Sequence, residues 1–274
     1  SGRARDEGLP RARGRNASRS EAPPMLNDVL LPAGLAPADA VLIVIVNVFA
    51  SALTSAFGIG GGVLLLTVMA SVLPPLAIVP VHGLAQLGNN VDRAWMTRAH
   101  CDRPVLGAFA LGAALGALLI APLVVALPVA ALQLSIAGFV LYLVWGPKPP
   151  GAVLSRAGLA VVGAVTTAVS MFVGATGPLV AAFVNRLHDE RRRTIATFSA
   201  CMSVQHGCKA LTFVGLGFPF ADWLPLLSLI VIAGVLGNWF GLKLLNRLPE
   251  SLFRTGFRVL VTVLAARLIW QALR

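Results

Sequence analysis

The sequence predicts an all-α integral membrane protein of two homologous halves, with eight to ten transmembrane or half-membrane helices and glycine-rich helix breaks. The chain is 57% apolar and only 12% charged, whereas soluble domains carry about 25% charged residues. Its apolar stretches, such as 105–127 and 223–245, reach the ~20 residues that span a bilayer core. Similar landmarks also occur in the same order in both halves, which predicts an internal duplication.

Glycine and proline residues divide the apolar sequence into ten segments, five in each half. The segments run over 38–57, 61–73, 81–99, 104–126, 129–146, 157–173, 177–187, 193–215, 222–246 and 251–272. Segments 61–73 and 177–187 are too short to cross a bilayer in a straight line, and each follows a glycine-rich break. A re-entrant hairpin or a broken helix fits both, provided that protein or a cavity covers the freed backbone.

The same punctuation defines the domain organisation. We expect a first membrane repeat over 38–148, a linker over 149–156 and a second membrane repeat over 157–274. Residues 1–37 are expected to form a disordered tail, because residues 1–24 hold six arginines and no apolar run. The first methionine is Met25, so we expect the native protein to start there and residues 1–24 to be translated upstream sequence or an added segment.

The positive charge of the chain is distributed as in a membrane protein. The net charge is +11, but the basic residues lie in short clusters between apolar segments, so nucleic-acid binding is not expected. Lysine and arginine mark cytoplasmic loops. Ten crossings with the N terminus outside place the clusters around 93–103, 148–156, 186–193 and 243–258 in the cytoplasm. With five segments each, the halves are then expected to be inverted repeats.

The two glycine-rich breaks are the first candidate binding residues. Glycine lets the backbone turn and approach a ligand closely, and a helix that restarts after a break aims free N–H groups and a positive dipole end at an anion. The predicted contacts are Gly60, Gly61 and Gly62 in the first half and Gly174, Thr176 and Gly177 in the second. The alternative is close helix packing, which also favours small residues.

The third segment of each half supplies the second candidate set. Polar residues there recur at spacings of three and four and share a helix face, and such residues are costly in lipid unless they face a pathway or partner. The predicted substrate contacts are Asn89, Asn90, Arg93, Gln205, His206 and Lys209. His82 or His206 could exchange a proton during transport. Alternatively, Arg93 and Lys209 extend to the lipid headgroups as cytoplasmic flanking residues.

Enzymatic and metal-dependent functions have little support in the sequence. The three cysteines, Cys101, Cys201 and Cys208, form no CxxC and imply neither a disulfide framework nor a metal site. No phosphate loop, HExxH or GxSxG motif is present. We therefore predict no catalytic residue, no metal and no cofactor.

The order of the motifs resembles the sulfite exporter (TauE/SafE-type) family of bacterial membrane transporters. Gly58–Gly62, Ala85–Asn90, Leu115-Gly116 and Leu127-Pro128 follow one another as in that family, and each has a counterpart in the second half. The similarity covers roughly 40–272. One departure is the run Val173-Gly174-Ala175-Thr176-Gly177-Pro178, where a fuller glycine run is typical. The resemblance implies transport of sulfite, sulfoacetate or another sulfur-containing or organic anion.

The sequence therefore predicts a secondary transporter that moves a small anion, sulfite or another sulfur-containing or organic anion, across the bacterial inner membrane. The alternatives are an anion channel and, with less support, a membrane-embedded enzyme that would use His82, His206 or Cys201. The expected partners are the anion, the lipid bilayer and protons as the coupling ion, and a homodimer is compatible with the sequence.

Overall fold

The computed structural model describes residues 31–32, 35–58, 60–126, 128–147, 154–244 and 250–273. Within these ranges the chain forms ten α-helices and no strand. The helices are α1 Pro37–Phe57, α2 Gly61–Val72, α3 Pro75–Met96, α4 Arg103–Ile120, α5 Val129–Trp145, α6 Arg156–Val173, α7 Gly177–Val184, α8 Arg191–Gly215, α9 Leu224–Leu244 and α10 Glu250–Ala272. Short 3₁₀ turns lie at Arg98–His100, Ala121–Ala126 and Phe220–Trp223.

The predicted all-α membrane fold is confirmed, with corrections to the helix ends. The segment predicted over 81–99 begins earlier, at Pro75, because proline is well tolerated in the first turn of a helix. Pro80 lies inside that helix and costs it one backbone hydrogen bond without ending it. The segment predicted over 104–126 changes to a 3₁₀ turn after Ile120.

Several predictions fall outside the described residues. Residues 1–30, with Met25, and most of the expected linker belong to this group, as do Leu127 and the Leu248-Pro249 turn. The predicted disordered tail, native start and domain bounds stay predictions.

The two short helices follow the two glycine breaks, as the sequence predicts. Helix α2 has 12 residues and α7 has 8, which correspond to about 18 Å and about 12 Å at 1.5 Å per residue. Both are shorter than the ~30 Å hydrocarbon core. Gly58, Gly60, Gly174 and Thr176 are buried, so each break lies inside the protein and not in a surface loop.

The packed helix pairs reflect the relation between the two halves. When each helix is replaced by its equivalent in the other half, the most extensive packed pairs correspond to packed pairs. Helix α1 packs on α9 and α4 packs on α6, so the first helix of each half lies against the fourth helix of the other. The third helices, α3 and α8, pack on each other, as do the fifth helices, α5 and α10. This is the pattern expected of two related halves.

Close packing in the exchanged pairs depends on glycines at matching positions. A Cβ at Gly116 would collide with the Ala164 carbonyl of α6, and one at Gly237 would collide with the Val48 carbonyl of α1. These two glycines are those of the Leu115-Gly116 and Leu236-Gly237 landmarks. In this position the repeated motif therefore serves close helix approach.

The central helices α3 and α8 run antiparallel. The Arg93 side chain near the end of α3 reaches Ser199 near the start of α8. Gly83, nearer the start of α3, lies against the Lys209 side chain near the end of α8. Beside the second of these contacts, the rings of His82 and His206 lie 6.0 Å apart. Antiparallel packing of equivalent helices is the arrangement that an inverted repeat produces.

The outer helices identify a multi-pass membrane protein. Four helical stretches are long and apolar enough to cross a membrane by length and composition, namely Pro37–Phe57, Arg103–Val124, Arg156–Val173 and Phe220–Leu244. They expose large apolar side chains, including Phe49, Leu118, Leu119 and Ile232, a pattern suited to lipid and unfavourable in water. They comprise the first and fourth helices of both halves and surround the more polar α3 and α8.

Candidate functional site

A small cavity lies where the two glycine breaks meet α3 and α8. Its volume is about 30 Å³, and one water molecule needs roughly 10–15 Å³ on this measure. The lining residues are Thr54, Gly60, Gly62, Val63, His82, Gln86, Asn90, Ala175, Gly177, Pro178, Phe198, Met202 and His206. Both halves of the chain therefore contribute polar and apolar side chains to one small cavity.

The first break turns the chain with two glycines and restarts it as α2. Gly58 and Gly60 have φ angles of 83° and 105°, which residues with side chains rarely adopt. Helix α2 has no side-chain N-cap at Gly60. The Gly61 N–H donates to Thr54 Oγ1 at 3.1 Å, and Gly62 faces the cavity beside the Gln86 amide. The positive end of α2 is thus directed at the cavity.

Gly61 and Gly62 are adjacent but have different surroundings. A Cβ at Gly61 would collide with the Ala50 carbonyl of α1, so Gly61 serves close packing. A Cβ at Gly62 would lie 3.6 Å from the nearest Gln86 atom, an ordinary van der Waals contact. Gly61 therefore serves close helix packing, whereas Gly62 lines the cavity.

The second break is held by side chains of α8. Gly174 has a φ of 83°, and its carbonyl accepts a hydrogen bond from Lys209 Nζ at 2.6 Å. Gln205 Nε2 donates to Thr176 Oγ1 at 2.8 Å, and Thr176 Oγ1 donates to the Thr166 carbonyl at 3.2 Å. Gly177 then begins α7 and lines the cavity.

Two histidines bring both halves together at the cavity. Their rings are arranged edge to face, and His82 Nε2 lies 2.9 Å from the Gly62 carbonyl oxygen. Because a carbonyl only accepts, Nε2 carries the hydrogen and the neutral ring leaves Nδ1 as an acceptor. Neither His82 Nδ1 nor His206 Nδ1 has a hydrogen-bond partner within the described part of the chain. Buried polar atoms without partners are rare. These two nitrogens could therefore bind a ligand or accept a proton.

Asn90 connects the cavity to the buried Arg93. Its Nδ2 donates to the Gln86 carbonyl at 2.7 Å, and its Oδ1 accepts from Arg93 Nη1 at 3.1 Å. Arg93 Nε also donates to Ser55 Oγ at 2.9 Å and Asn238 Oδ1 at 3.1 Å. Arg93 does not line the cavity, so it acts on the cavity through Asn90.

Asn89 points away from the cavity, into the contact with α1 and α9. It exchanges two hydrogen bonds with Asn47, one of 2.8 Å and one of 3.2 Å. Asn47 Nδ2 also donates to the Ile230 carbonyl at 2.6 Å. The adjacent residues Asn89 and Asn90 thus have different roles, one in helix packing and one at the cavity.

The predicted contacts separate into two groups by position. Gly60, Gly62, Asn90, Gly177 and His206 line the cavity. Gly61, Asn89, Arg93, Gly174, Thr176, Gln205 and Lys209 lie behind it as packing or supporting residues. The alternative in which Arg93 and Lys209 extend to the headgroups is wrong, because their exposed fractions are 1% and 0%.

Sequence reasoning missed two asparagines that organise the site. Asn47 and Asn238 are fully buried in the otherwise apolar helices α1 and α9, and Asn238 Nδ2 donates to Asp92 Oδ2 at 2.9 Å and to the Asn89 carbonyl at 2.8 Å. A single amide in a long apolar run is costly in lipid unless it has a partner. That signal was available in the sequence.

The comparisons with known proteins identify the family. Residues 43–268 match the family described as Sulfite exporter TauE/SafE, and this range covers most of the chain and both halves. No match was found among curated proteins or among solved structures. The chain therefore belongs to the sulfite exporter TauE/SafE family, which is a family of membrane transporters of sulfur anions and not of enzymes.

Proposed function

We propose that the protein is a secondary transporter of a small oxyanion, with sulfite as the first candidate, and that the anion binds in the cavity between the two glycine breaks. The observation that carries the proposal is the convergence of both breaks and both central histidines on one small cavity. We place the protein in the bacterial inner membrane, with the lysine- and arginine-rich loops in the cytoplasm.

The chemistry of the lining favours an anion over a cation. Helices α2 and α7 begin at Gly61 and Gly177, so their positive ends act on the cavity. Thr54, Gln86 and Asn90 add hydroxyl and amide groups. Among the described lining residues none carries a carboxylate, so a cation would find no charged ligand there.

The volume of the cavity favours a small inorganic anion. A space of about 30 Å³ holds roughly two or three water molecules, a size suited to a four-atom oxyanion. Sulfoacetate would require the cavity to expand. We therefore rank sulfite above the organic sulfonates as the substrate.

The two histidines are proposed as the proton-coupling groups. In the neutral state His82 Nδ1 is an acceptor, because Nε2 donates to the Gly62 carbonyl, and an acceptor repels an anion. His206 Nδ1, on the other ring of the pair, also has no partner among the described residues. A protonated imidazole would donate at that position and add positive charge. Binding of a proton together with the anion would therefore be favourable and would couple the two fluxes.

The relation between the halves supports alternating access. The antiparallel packing of α3 on α8 and the exchanged pairs α1–α9 and α4–α6 are consistent with inverted repeats, for which the two halves exchange conformations between inward- and outward-facing states. The cavity between the breaks would then open to one side of the membrane at a time. A channel, in contrast, requires one continuous open path.

Uptake of ³⁵S-sulfite into proteoliposomes tests the proposal. Gly62→Ala and Gly177→Ala add a methyl group to the cavity without a clash, since the nearest atoms to the new Cβ are 3.6 Å away in both cases. We expect saturable uptake by the wild type and an at least tenfold loss in both variants, with unchanged thermal stability. Gly107→Ala is the matched control, because its Cβ would meet nothing within 4 Å.

A carrier and a channel give different results in the same vesicles. Sulfite preloaded inside should accelerate uptake through a carrier, whereas a channel shows no such exchange and carries large currents. Absence of saturable sulfite flux in correctly inserted wild-type protein would overturn the proposed substrate. Normal flux in both cavity variants would overturn the proposed site.

A further inference from the structure

A second, larger pocket lies at the ends where α4, α6 and α8 begin. Its volume is about 550 Å³, and it shares no lining residue with the cavity between the glycine breaks. Arg103, Arg156 and Arg193 line it from three different helices, together with Asp102. By the distribution of lysine and arginine, this end of the molecule faces the cytoplasm.

The charge of this pocket is positive after its internal pairing is counted. Arg193 Nη2 donates to Asp102 Oδ2 at 2.9 Å, which compensates one arginine. His188 Nε2 lies 3.7 Å from the same oxygen. Burial, followed by the charge of Arg193, lowers the pKa of His188 below its usual value of 6.5, so His188 is neutral at pH 7. Arg103 and Arg156 remain uncompensated.

Arg103 and Arg156 are free to bind a ligand. Both are exposed, and neither has a hydrogen bond or ion pair with any described residue. Two guanidinium groups on adjacent helices suit phosphate, since each presents a planar set of donors that pairs with two oxygens. The N-terminal ends of α4, α6 and α8 add positive potential in the same place.

The floor of the pocket is apolar. Val105 and Leu159 are buried beneath the arginines, and Leu154 and Leu187 are half-buried beside them. Farther along α4 and α6, the side chains of Leu111 and Val161 are exposed. Both helices are suited by length and composition to cross the bilayer. A free phosphate would use the arginines alone, whereas a phospholipid would use the arginines and the apolar surface together.

We propose that this pocket binds the phosphate group of an anionic phospholipid on the cytoplasmic side, with its acyl chains along α4 and α6. Basic pockets between transmembrane helices at that surface recognise anionic headgroups through the same combination of charge and apolar contact. The bound lipid would bridge the two halves, because Arg103 belongs to the first and Arg156 and Arg193 to the second.

Native mass spectrometry of the detergent-purified full chain tests this inference. Phosphatidylglycerol, phosphatidylcholine and inorganic phosphate are titrated separately onto the wild type, the double variant Arg103→Gln/Arg156→Gln and the control Arg98→Gln/Arg192→Gln. Both doubles remove two positive charges, but only the first removes pocket residues. We expect phosphatidylglycerol to bind at least tenfold more tightly than phosphatidylcholine to the wild type. That preference should be lost in the pocket variant and kept within twofold in the control.

Each other outcome overturns the inference. Equal binding of the two lipids would show that the headgroup charge is not recognised, and equal loss in both doubles would show a general charge effect. Inorganic phosphate that binds as tightly as phosphatidylglycerol would identify a free anion as the ligand. Thermal unfolding without lipid should agree among the three proteins, and Arg103→Lys/Arg156→Lys should retain most of the preference. Binding is measured without transport, so the result does not depend on the proposed substrate.

Discussion

Helices α3 and α8 occupy equivalent places in the two halves, but their basic residues are held differently. Arg93 donates to side chains on α1, α9 and α8, namely Ser55, Asn238 and Ser199, and to Asn90 on its own helix. Lys209 donates to one backbone carbonyl, that of Gly174. The basic residue of α3 is thus held by a network of side chains, whereas that of α8 is held by a single hydrogen bond. If the halves exchange conformations during transport, the Lys209 contact is the easier to break.

The largest effect is expected from Arg93→Met. The substitution removes the guanidinium that donates to Ser55, Asn238, Asn90 and Ser199. Ser55 Oγ still donates to Asn238 Oδ1, but the buried oxygens Asn90 Oδ1 and Ser199 Oγ lose their donor. Each unsatisfied buried group costs about 1–3 kcal/mol, so we expect a loss of ~3 kcal/mol or more in the free energy of unfolding. Thermal unfolding in detergent should show a decrease in Tm of roughly 10 °C, at about 2–4 °C per kcal/mol for a chain of this size.

Arg192→Met is the matched control for this prediction. Arg192 is exposed at the start of α8, so the same change in charge and size should leave Tm within about 2 °C, as for most surface substitutions. If Arg93→Met unfolds at the temperature of the control, the side-chain network does not stabilise the first half, and the contrast with α8 is lost.

The architecture was predictable from the sequence because lipid imposes a strong pattern. Apolar runs long enough to span the bilayer, and glycines at Gly58–Gly62 and Gly174–Gly177, predicted the helices and the two breaks. Helix ends were predicted less well. The third segment was predicted to begin at residue 81, whereas α3 begins at Pro75. Proline both ends and begins helices, and only the packed structure distinguishes the two.

The site was predicted at the level of helices and only in part at the level of residues. Spacings of three and four correctly placed the polar residues on α3 and α8. They did not separate Asn90, which lines the cavity, from Asn89, which pairs with Asn47 on α1. Likewise Gly61 and Gly62 are equivalent in the sequence, but a carbonyl of α1 lies against Gly61, whereas a Cβ at Gly62 would make only van der Waals contact with Gln86. These differences depend on the neighbouring helix, which a single helix pattern does not contain.

The next largest effect is expected from Asn89→Ala, which tests the packing role of the first-half network. It removes both hydrogen bonds to Asn47, whose Nδ2 keeps the Ile230 carbonyl. We expect a loss of about 1–2 kcal/mol in the free energy of unfolding, with normal sulfite uptake per folded molecule. Asn90→Ala is the matched variant on the same helix, and it should instead reduce uptake. Reduced uptake in Asn89→Ala at normal stability would assign Asn89 to the substrate path.

The smallest effect on stability is expected from Lys209→Met. Removing the ammonium takes away one donor from the Gly174 carbonyl, but it also removes the cost of burying a charge with a single polar contact. Replacing a buried charged group by an apolar one of similar volume is often neutral or stabilising. We therefore expect the free energy of unfolding to change by less than about 1 kcal/mol, although sulfite uptake per folded molecule should fall because Gly177, three residues after Gly174, lines the cavity.

Lys209→Arg makes this last prediction sharper, because it keeps the charge. A Cβ at Gly83 would lie only 2.7 Å from Lys209 Cδ, so the space around the stem is already filled and the larger guanidinium would be overpacked. Overpacking a buried site costs about 1–3 kcal/mol, so the charge-conserving variant should be less stable than the neutral one. The reverse order in thermal unfolding would mean that Lys209 is held by its charge as firmly as Arg93 is, and that the two halves do not differ in the way their contacts indicate.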